Sequence, residues 1–198
     1  MIFKRIIILS FVIMVMLITA AFMTNKYSNT VNIGDQFESF DLFDYKGNKH
    51  SLSDYVDSKA IVLMFIATRC PVSNDYNSRM EEIFNKYKEQ EISFLGINSN
   101  KTEDISEIEN HAKDNGLTFP ILKDEKNIIA DIFDASFTPE IYVLSNEFIL
   151  LYHGRIDDSR RASGINSTDL INALDEIVTD KEVSNPETKA FGCSIKRI

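Results

Sequence analysis

Two runs of hydrophobic residues dominate the pattern along the chain, at residues 61–67 and 92–98. Each run holds few polar side chains, which is typical of strands buried on both faces of a sheet. Between the runs, apolar residues recur at helical spacing and predict one helix from Pro71 to about Glu89. Two such strands joined by a helix predict a right-handed βαβ unit.

The residues around this unit predict a hairpin and two further helices. Apolar residues alternate through residues 37–52 around Lys46, Gly47 and Asn48, which predicts a hairpin leading into the core. Three more elements are predicted before residue 134: a helix that contains Ile105, Ile108 and Ala112 and is ended by Gly116, an apolar segment at 119–122, and a brief helix at 128–133.

The last third of the chain has a different pattern. Two apolar runs, residues 140–145 and 148–156, are separated by only two residues, and this spacing predicts an antiparallel hairpin. Apolar residues at helical spacing then predict a closing helix over residues 170–178, with Asn166 or Ser167 as its cap.

The N-terminal residues carry a membrane-targeting pattern. Lys4 and Arg5 precede an uncharged, mostly apolar run of 18 residues, 6–23. The run is long enough to span a bilayer, and the small residues 19–21 provide a cleavage site. The pattern therefore predicts an uncleaved anchor or a cleaved signal peptide, and either one exports the rest of the chain.

The pattern divides the chain into four segments: a signal anchor or signal peptide (1–23), a polar tether (24–33), one α/β domain (34–180) and a tail (181–198) that carries Cys193. The formal charge of the chain is −9, and removal of the two N-terminal cations takes it to −11. Such an acidic protein repels nucleic acid, so no nucleic-acid partner is expected.

Cys70 is the first candidate for chemistry, because it lies where the strand of residues 61–67 meets the following helix. Pro71 supports this placement, since proline is favoured at the first helical position. Backbone N–H groups at a helix start, and a cation such as Arg69, lower the pKa of a thiol and make it nucleophilic. The alternative is an inert buried cysteine.

The motifs TRCPVS (68–73), FTPEIYVL (137–144), GRIDD (154–158) and FGCSIKR (191–197), together with the order of elements, resemble the thioredoxin-fold superfamily. The chain is most similar to its peroxiredoxin-like branch, related to alkyl hydroperoxide reductase and thiol-specific antioxidant proteins. The resemblance covers residues 35–180 and implies a thioredoxin-like fold, with a central mixed β-sheet flanked by helices. It also implies thiol-dependent antioxidant activity.

The resemblance implies that Cys70 is the nucleophile of a thioredoxin CxxC pair whose second position holds Ser73. A serine cannot form the local disulfide, so the dithiol cycle is not available within that loop. It also implies that the Thr138–Pro139 bond is cis and that these two residues face the nucleophile as part of a substrate-binding edge. The alternative is a trans proline at a strand start.

The resemblance also implies that Arg155 lies near Cys70, because in that fold the second strand of this hairpin returns to the active-site edge. There it would offer charge to a thiolate or a peroxide oxygen, and a surface ion pair with Asp157 is the alternative. Weaker candidates are Asp75, Arg160 and Arg161. His50, His111 and His153 lack metal-ligand spacing, so neither a metal nor another cofactor is expected.

Cys193 is the second candidate thiol, and three roles are open for it: a resolving thiol for Cys70, a structural disulfide with Cys70, or an unrelated terminal cysteine. The leading hypothesis is a membrane-tethered thiol oxidoreductase outside the cytoplasm, which acts on a peroxide or a protein disulfide and is recycled by a thiol reductant. The rival hypothesis is a noncatalytic redox-sensing or peptide-binding module.

Overall fold

A mixed β-sheet forms the centre of the computed structural model, which describes residues 30–198. The nine strands of this part of the chain are β1 (Asp41–Asp44), β2 (Lys49–Ser51), β3 (Ala60–Phe65), β4 (Ile92–Asn98), β5 (Ile121–Lys123), β6 (Phe137–Thr138), β7 (Glu140–Ser145), β8 (Leu150–Gly154) and β9 (Cys193–Ser194). Seven of them make the main sheet in the order β2-β1-β5-β4-β3-β7-β8, and β6 pairs with β9.

The two strands predicted from continuous hydrophobic runs, β3 and β4, are parallel neighbours at the middle of the sheet. All six residues of β3 are buried, and they alternate between two hydrophobic clusters. Val62 and Met64 face one cluster, whereas Leu63 and Phe65 face the other. A strand that is buried on both faces must be apolar at every position, which explains the continuous run.

Helices cover both faces of this sheet. They are α1 (Pro71–Asn74), α2 (Asn77–Tyr87), α3 (Ile105–Asn115), α4 (Ile128–Ile132) and α5 (Asp169–Val178), with 3-10 turns at Leu52–Tyr55 and Ala162–Gly164. Apolar residues of α2, α3 and α5 complete the cluster around Val62, and Ile129 of α4 lies in the cluster around Leu63. The predicted fold class, a thioredoxin-like α/β fold with a mixed sheet flanked by helices, is confirmed.

Three local predictions are corrected. The single helix predicted from Pro71 to Glu89 is two helices, because Tyr76 N–H bonds to Ser73 O, three residues back, and the chain turns there to bury the Tyr76 ring. The strands of the second hairpin end at Ser145 and restart at Leu150, so the turn is longer than predicted.

The third correction concerns the closing helix, which begins after Thr168 rather than after Asn166 or Ser167, and Thr168 makes no side-chain cap. Ser167 instead donates its hydroxyl to Asp169 at 2.6 Å. The hairpin β1–β2 and the end of α3 at Gly116 are confirmed.

The C-terminal segment runs back along the sheet before it reaches β9. His153 N–H of β8 donates to Pro186 O, and Thr188 N–H donates to His153 O, both at 2.9 Å. The approach is so close that a Cβ at Gly154 would lie 2.5 Å from Thr188 O, and Gly154 has a φ of +150°, which only glycine adopts readily.

Residues 31–198 form one compact unit. The predicted segment boundaries at 33 and 180 stay predictions, and the predicted membrane segment 6–23 lies outside the described residues. Within residues 30–198 no helix combines the length and the apolar character needed to cross a bilayer.

Candidate functional site

Cys70 lies after the loop that follows β3, as the N-cap residue of α1, and is joined to Cys193 by a disulfide. Pro71 occupies the first turn of α1, as predicted. The two Cα atoms are 5.9 Å apart although 123 positions separate them in sequence. The pairing excludes the alternative that Cys193 is an unrelated terminal cysteine.

Cys70 is 4% exposed, and backbone groups lie next to its sulfur. Ser73 N–H donates to Sγ at 3.2 Å, which confirms that a first-turn amide faces the sulfur. The carbonyl oxygen of Thr138 lies 3.2 Å from the same atom. An amide donor favours a thiolate over a thiol, because it stabilises the negative charge.

Ser73 takes the place of the second thiol of a CxxC pair without facing the first one through its side chain. Its buried hydroxyl instead accepts a hydrogen bond from Ala67 N–H at 3.3 Å. Ser73 therefore fixes the loop between β3 and Cys70, and the only cysteine bonded to Cys70 comes from the C-terminal segment.

The Thr138–Pro139 peptide bond is cis, as the resemblance implied. Thr138 belongs to β6, which pairs antiparallel with β9 so that Thr138 lies opposite Cys193. Gly192 precedes the cysteine, and a Cβ at this position would lie 2.1 Å from Thr138 O. The terminal strand thus lies in close backbone contact with the edge beside Cys70.

Two carboxylates hold the loop that leads into Cys70. Buried Glu103 accepts from Thr68 N–H at 2.8 Å and from Arg69 N–H at 3.1 Å, and it also accepts from Asn98 Nδ2 at 2.6 Å. Glu107 accepts the Thr68 hydroxyl in a short hydrogen bond. The loop is therefore tied to the segment between β4 and α3 and to the first turn of α3.

Arg69 carries its charge toward Glu107. Its Nε and Nη2 atoms donate to the two carboxylate oxygens at 2.8 and 2.5 Å, and its side chain is 61% exposed. The hydrogen bond from Arg69 lowers the pKa of Glu107 despite the opposing effect of burial. This pairing partly neutralises the cation that was predicted to activate Cys70.

Arg155 is likewise bound to a carboxylate, since its Nε donates to Asp169 at 2.7 Å. The alternative partner named from the sequence, Asp157, is wrong, because Asp157 pairs with Arg79 at 2.5 Å. The structure thus groups Cys70, Cys193 and Thr138, whereas the two arginines bind acids of their own. A substrate-binding role for Arg69 and Arg155 stays a prediction.

Two of the weaker candidates, Asp75 and Arg160, form an ion pair at the surface beside the end of α1. Arg160 donates through Nε and Nη2 to one oxygen of Asp75, at 2.8 and 2.6 Å, and both side chains are about half exposed. Arg79 supports the same loop, because Nη2 donates to Arg160 O at 2.6 Å. Below it, the Tyr76 ring lies 3.7 Å from the Arg79 guanidinium carbon, and its hydroxyl donates to Asp157.

Glu140 supports the edge that carries Thr138. This buried carboxylate accepts from Ser136 N–H at 2.7 Å and Phe137 N–H at 2.8 Å, and His153 Nε2 donates to it at 2.8 Å. Burial alone would raise the pKa of Glu140, but the bonds from His153 and from the two amides outweigh it and hold the pKa below its ordinary value. Glu140 is therefore an anion that fixes the turn into β6.

Sequence reasoning missed Glu103, Glu107 and Glu140 as parts of the site. A signal was present for the first two: the loops that follow parallel neighbours β3 and β4 meet at one edge of the sheet, so polar residues after β4 lie near Cys70.

Two of the histidines considered from the sequence contact carboxylates: His153 contacts Glu140, and His50 contacts Asp44. Among residues 30–198 no group of three His, Cys, Asp or Glu side chains is arranged to hold a metal ion.

Comparison with known proteins places this site in a family. The AhpC/TSA family model matches residues 33–159. A thiol-disulfide oxidoreductase ResA from Geobacillus kaustophilus is 30% identical over 123 residues, which are 62% of this chain and 68% of that protein. An uncharacterized conserved protein from Geobacillus kaustophilus has a similar crystal structure, with a TM-score of 0.79 and 32% identity over 85% of this chain and 93% of its own.

A hypothetical protein from Sinorhizobium meliloti gives the same TM-score of 0.79, at 30% identity over 86% of this chain and 97% of its own. The similarity in structure thus reaches beyond the residues that the family model matches. Because that model covers more than half of the chain and includes Cys70 and Pro139, the chain belongs to the AhpC/TSA family.

Proposed function

We propose that the protein is a thiol–disulfide oxidoreductase in which Cys70 is the nucleophile and Cys193 is the resolving thiol. The observation that carries the proposal is the disulfide between these two residues, in a loop where Ser73 cannot serve as the second thiol. Supporting it, the related ResA protein is named as a thiol-disulfide oxidoreductase.

The reaction follows from the neighbours of the sulfur. The Cys70 thiolate attacks one sulfur of a substrate disulfide, forms a mixed disulfide and releases the other substrate sulfur as a thiolate. The Cys193 thiolate then attacks Cys70 Sγ, forms the intramolecular disulfide and releases the second substrate thiolate. Ser73 N–H, 3.2 Å from Sγ, stabilises Cys70 as the attacking thiolate and again as the leaving group when the pair is reduced.

Reduction of the pair requires an external thiol. Cys193 is the more accessible sulfur, because it is partly exposed whereas Cys70 is buried. An incoming thiolate that attacks Cys193 releases Cys70 as the thiolate, and a second thiol then frees Cys193. The two electrons come from this thiol reductant, so no bound cofactor is required.

Peroxide is the second candidate substrate, and membership of the AhpC/TSA family favours it. Attack of the Cys70 thiolate on a peroxide oxygen would form a sulfenic acid and release water or an alcohol, and Cys193 would condense with the sulfenic acid to give the same disulfide. Against it, Arg155, the cation expected beside a peroxide oxygen, and Arg69, the cation expected to activate Cys70, are both paired with carboxylates.

We also propose that the domain acts outside the cytoplasm, attached through residues 6–23 as an anchor or exported by them as a signal. The cationic residues Lys4 and Arg5 support this orientation. A structural or catalytic disulfide also persists more readily in an oxidising compartment than in the cytosol.

Two cysteine variants test the proposed function. Single-turnover assays with a disulfide and with a peroxide, run side by side, compare wild type, Cys70→Ser and Cys193→Ser. We expect Cys70→Ser to abolish turnover of both oxidants, and Cys193→Ser to accumulate a mixed disulfide on Cys70 that mass spectrometry detects. Full activity of Cys70→Ser would refute the mechanism, and inactivity of the wild type toward both oxidants would favour the noncatalytic module.

A further inference from the structure

The terminal segment, residues 192–198, contains one half of the redox pair and also covers the strand edge beside the other half. We propose that this segment stays docked when the disulfide is reduced and acts as a specificity element, which restricts Cys70 to disulfides of low-molecular-weight thiols. The inference rests on the proposed thiol–disulfide exchange and names its substrate class.

The first support is that backbone contacts beyond Cys193 hold the segment without help from the disulfide. Ile195 N–H donates to Ser136 O at 3.0 Å, next to the β6–β9 pair. Lys196 N–H donates to Asn100 Oδ1 at 2.8 Å, and Lys196 O accepts from Lys101 N–H at 2.9 Å.

The second support comes from the side chains at the end of the segment. Ile195 is 7% exposed and belongs to the hydrophobic cluster that contains Leu63 and Phe133. Arg197 donates through Nε to Asp131 at 2.8 Å and through Nη2 to Ala135 O at 2.7 Å. A buried apolar anchor and a bound guanidinium both remain when the S–S bond is broken.

The position of the segment determines what it excludes. An extended polypeptide docks by adding a strand to a free sheet edge, and the edge at Cys70 is β6, which carries Thr138. That edge is already paired with β9, with Thr138 opposite Cys193. Gly192 lies so close to this edge that a Cβ added to it would be 2.1 Å from Thr138 O, well inside van der Waals contact.

A polypeptide disulfide must therefore displace the terminal segment before it pairs with β6, whereas a small disulfide needs no strand pairing. The apparent rate for a polypeptide falls in proportion to the fraction of molecules whose edge is open. A tethered segment competes at an effective concentration of roughly millimolar, well above that of a micromolar protein substrate.

A pair of isoleucine variants in the terminal segment tests this inference. All variants carry Cys193→Ser, so that only the first attack by Cys70 is observed, as release of the first thiol from glutathione disulfide or from insulin. Ile195→Ala removes the buried anchor, and Ile198→Ala makes the same change at a residue that is 78% exposed.

We expect Ile195→Ala to raise the rate with insulin by at least about tenfold, because truncation of a buried isoleucine weakens docking substantially. The rate with glutathione disulfide should change by less than about twofold, and Ile198→Ala should change neither rate. Equal rates with insulin in all variants, alongside measurable turnover, would overturn this inference alone. Absence of reaction with both disulfides in every variant would overturn the proposed function as well.

Hydrogen exchange provides a readout that is independent of turnover. In the reduced wild-type protein, the amides of Ile195 and Lys196 should remain protected, because their acceptors, Ser136 O and Asn100 Oδ1, do not depend on the disulfide. Exchange of both amides at the rate of a free chain on reduction would show that the S–S bond alone holds the segment, and it would overturn the inference.

Discussion

Replacement of Gly192 by alanine should weaken the disulfide without touching either sulfur. The added Cβ would lie 2.1 Å from Thr138 O and 2.7 Å from Thr138 C, both of them backbone atoms that cannot rotate away. The terminal strand must therefore move off β6. The perturbation acts on the distance between Cys70 and Cys193, because Cys193 is the next residue.

The size of the effect follows from two distances. A carbon–oxygen contact relaxes to about 3.3 Å, so the terminal strand must retreat by about 1.2 Å. The Cα atoms of the cysteine pair are now 5.9 Å apart, and the retreat would bring them to about 7 Å, beyond the usual limit near 6.8 Å. If the misfit costs about 3 kcal/mol, the reduction potential of the pair becomes roughly 60 mV less negative.

Equilibration against glutathione buffers, followed by thiol alkylation and mass spectrometry, measures this potential. Gly116→Ala is the control, because a Cβ there meets no atom within 4 Å. The strain of alanine at its φ of +65°, at the end of α3, is the same in both redox states and should leave the potential unchanged. A potential for Gly192→Ala within about 10 mV of the wild-type value would refute the reasoning, since it would show that the strand accommodates a methyl group without separating the cysteines.

Two further predictions concern the supports of the site. Arg79→Ala leaves the buried Asp157 carboxylate without its cation, so it should lower the free energy of unfolding by about 3–5 kcal/mol in urea titrations. A loss below about 1 kcal/mol would contradict a stabilising role for this ion pair. Because the pKa of Glu140 is lowered in the folded protein, its contribution to stability is present above the unfolded-state pKa of about 4.3 and is lost as the pH falls through the folded value. Urea titrations should therefore show that the free energy of unfolding falls less steeply below about pH 4.3 in Glu140→Gln than in wild type. The same pH dependence in both proteins would contradict the stabilising role of the Glu140 carboxylate.

The central strands were predictable because their environment is simple. Residues on a strand buried on both faces must all be apolar, so β4 is found at the same bounds that the pattern gave, and β3 differs only at its ends. The position of Cys70 at the helix start also followed from local signals, since Pro71 and the end of a hydrophobic run mark the boundary.

The long-range pairs were not predictable in the same way. Arg155 has several acidic residues near it in sequence, and only the fold brings Asp169 rather than Asp157 to its guanidinium. The break at Tyr76 is a tertiary effect, because the apolar spacing continues through it and only the buried ring and its bond to Asp157 explain the turn. The Cys70–Cys193 distance likewise depends on a chain reversal that no local pattern encodes.

The return of the C-terminal segment along β8 has a consequence for solubility. A strand at the edge of a sheet, as β8 is here, exposes unpaired amides and carbonyls that can pair with strands of other molecules. Here Pro186 and Thr188 bond to both backbone groups of His153, so this part of the β8 edge is not available to a second copy. The C-terminal chain that leads to Cys193 thus also covers part of an edge where strands of other molecules could pair.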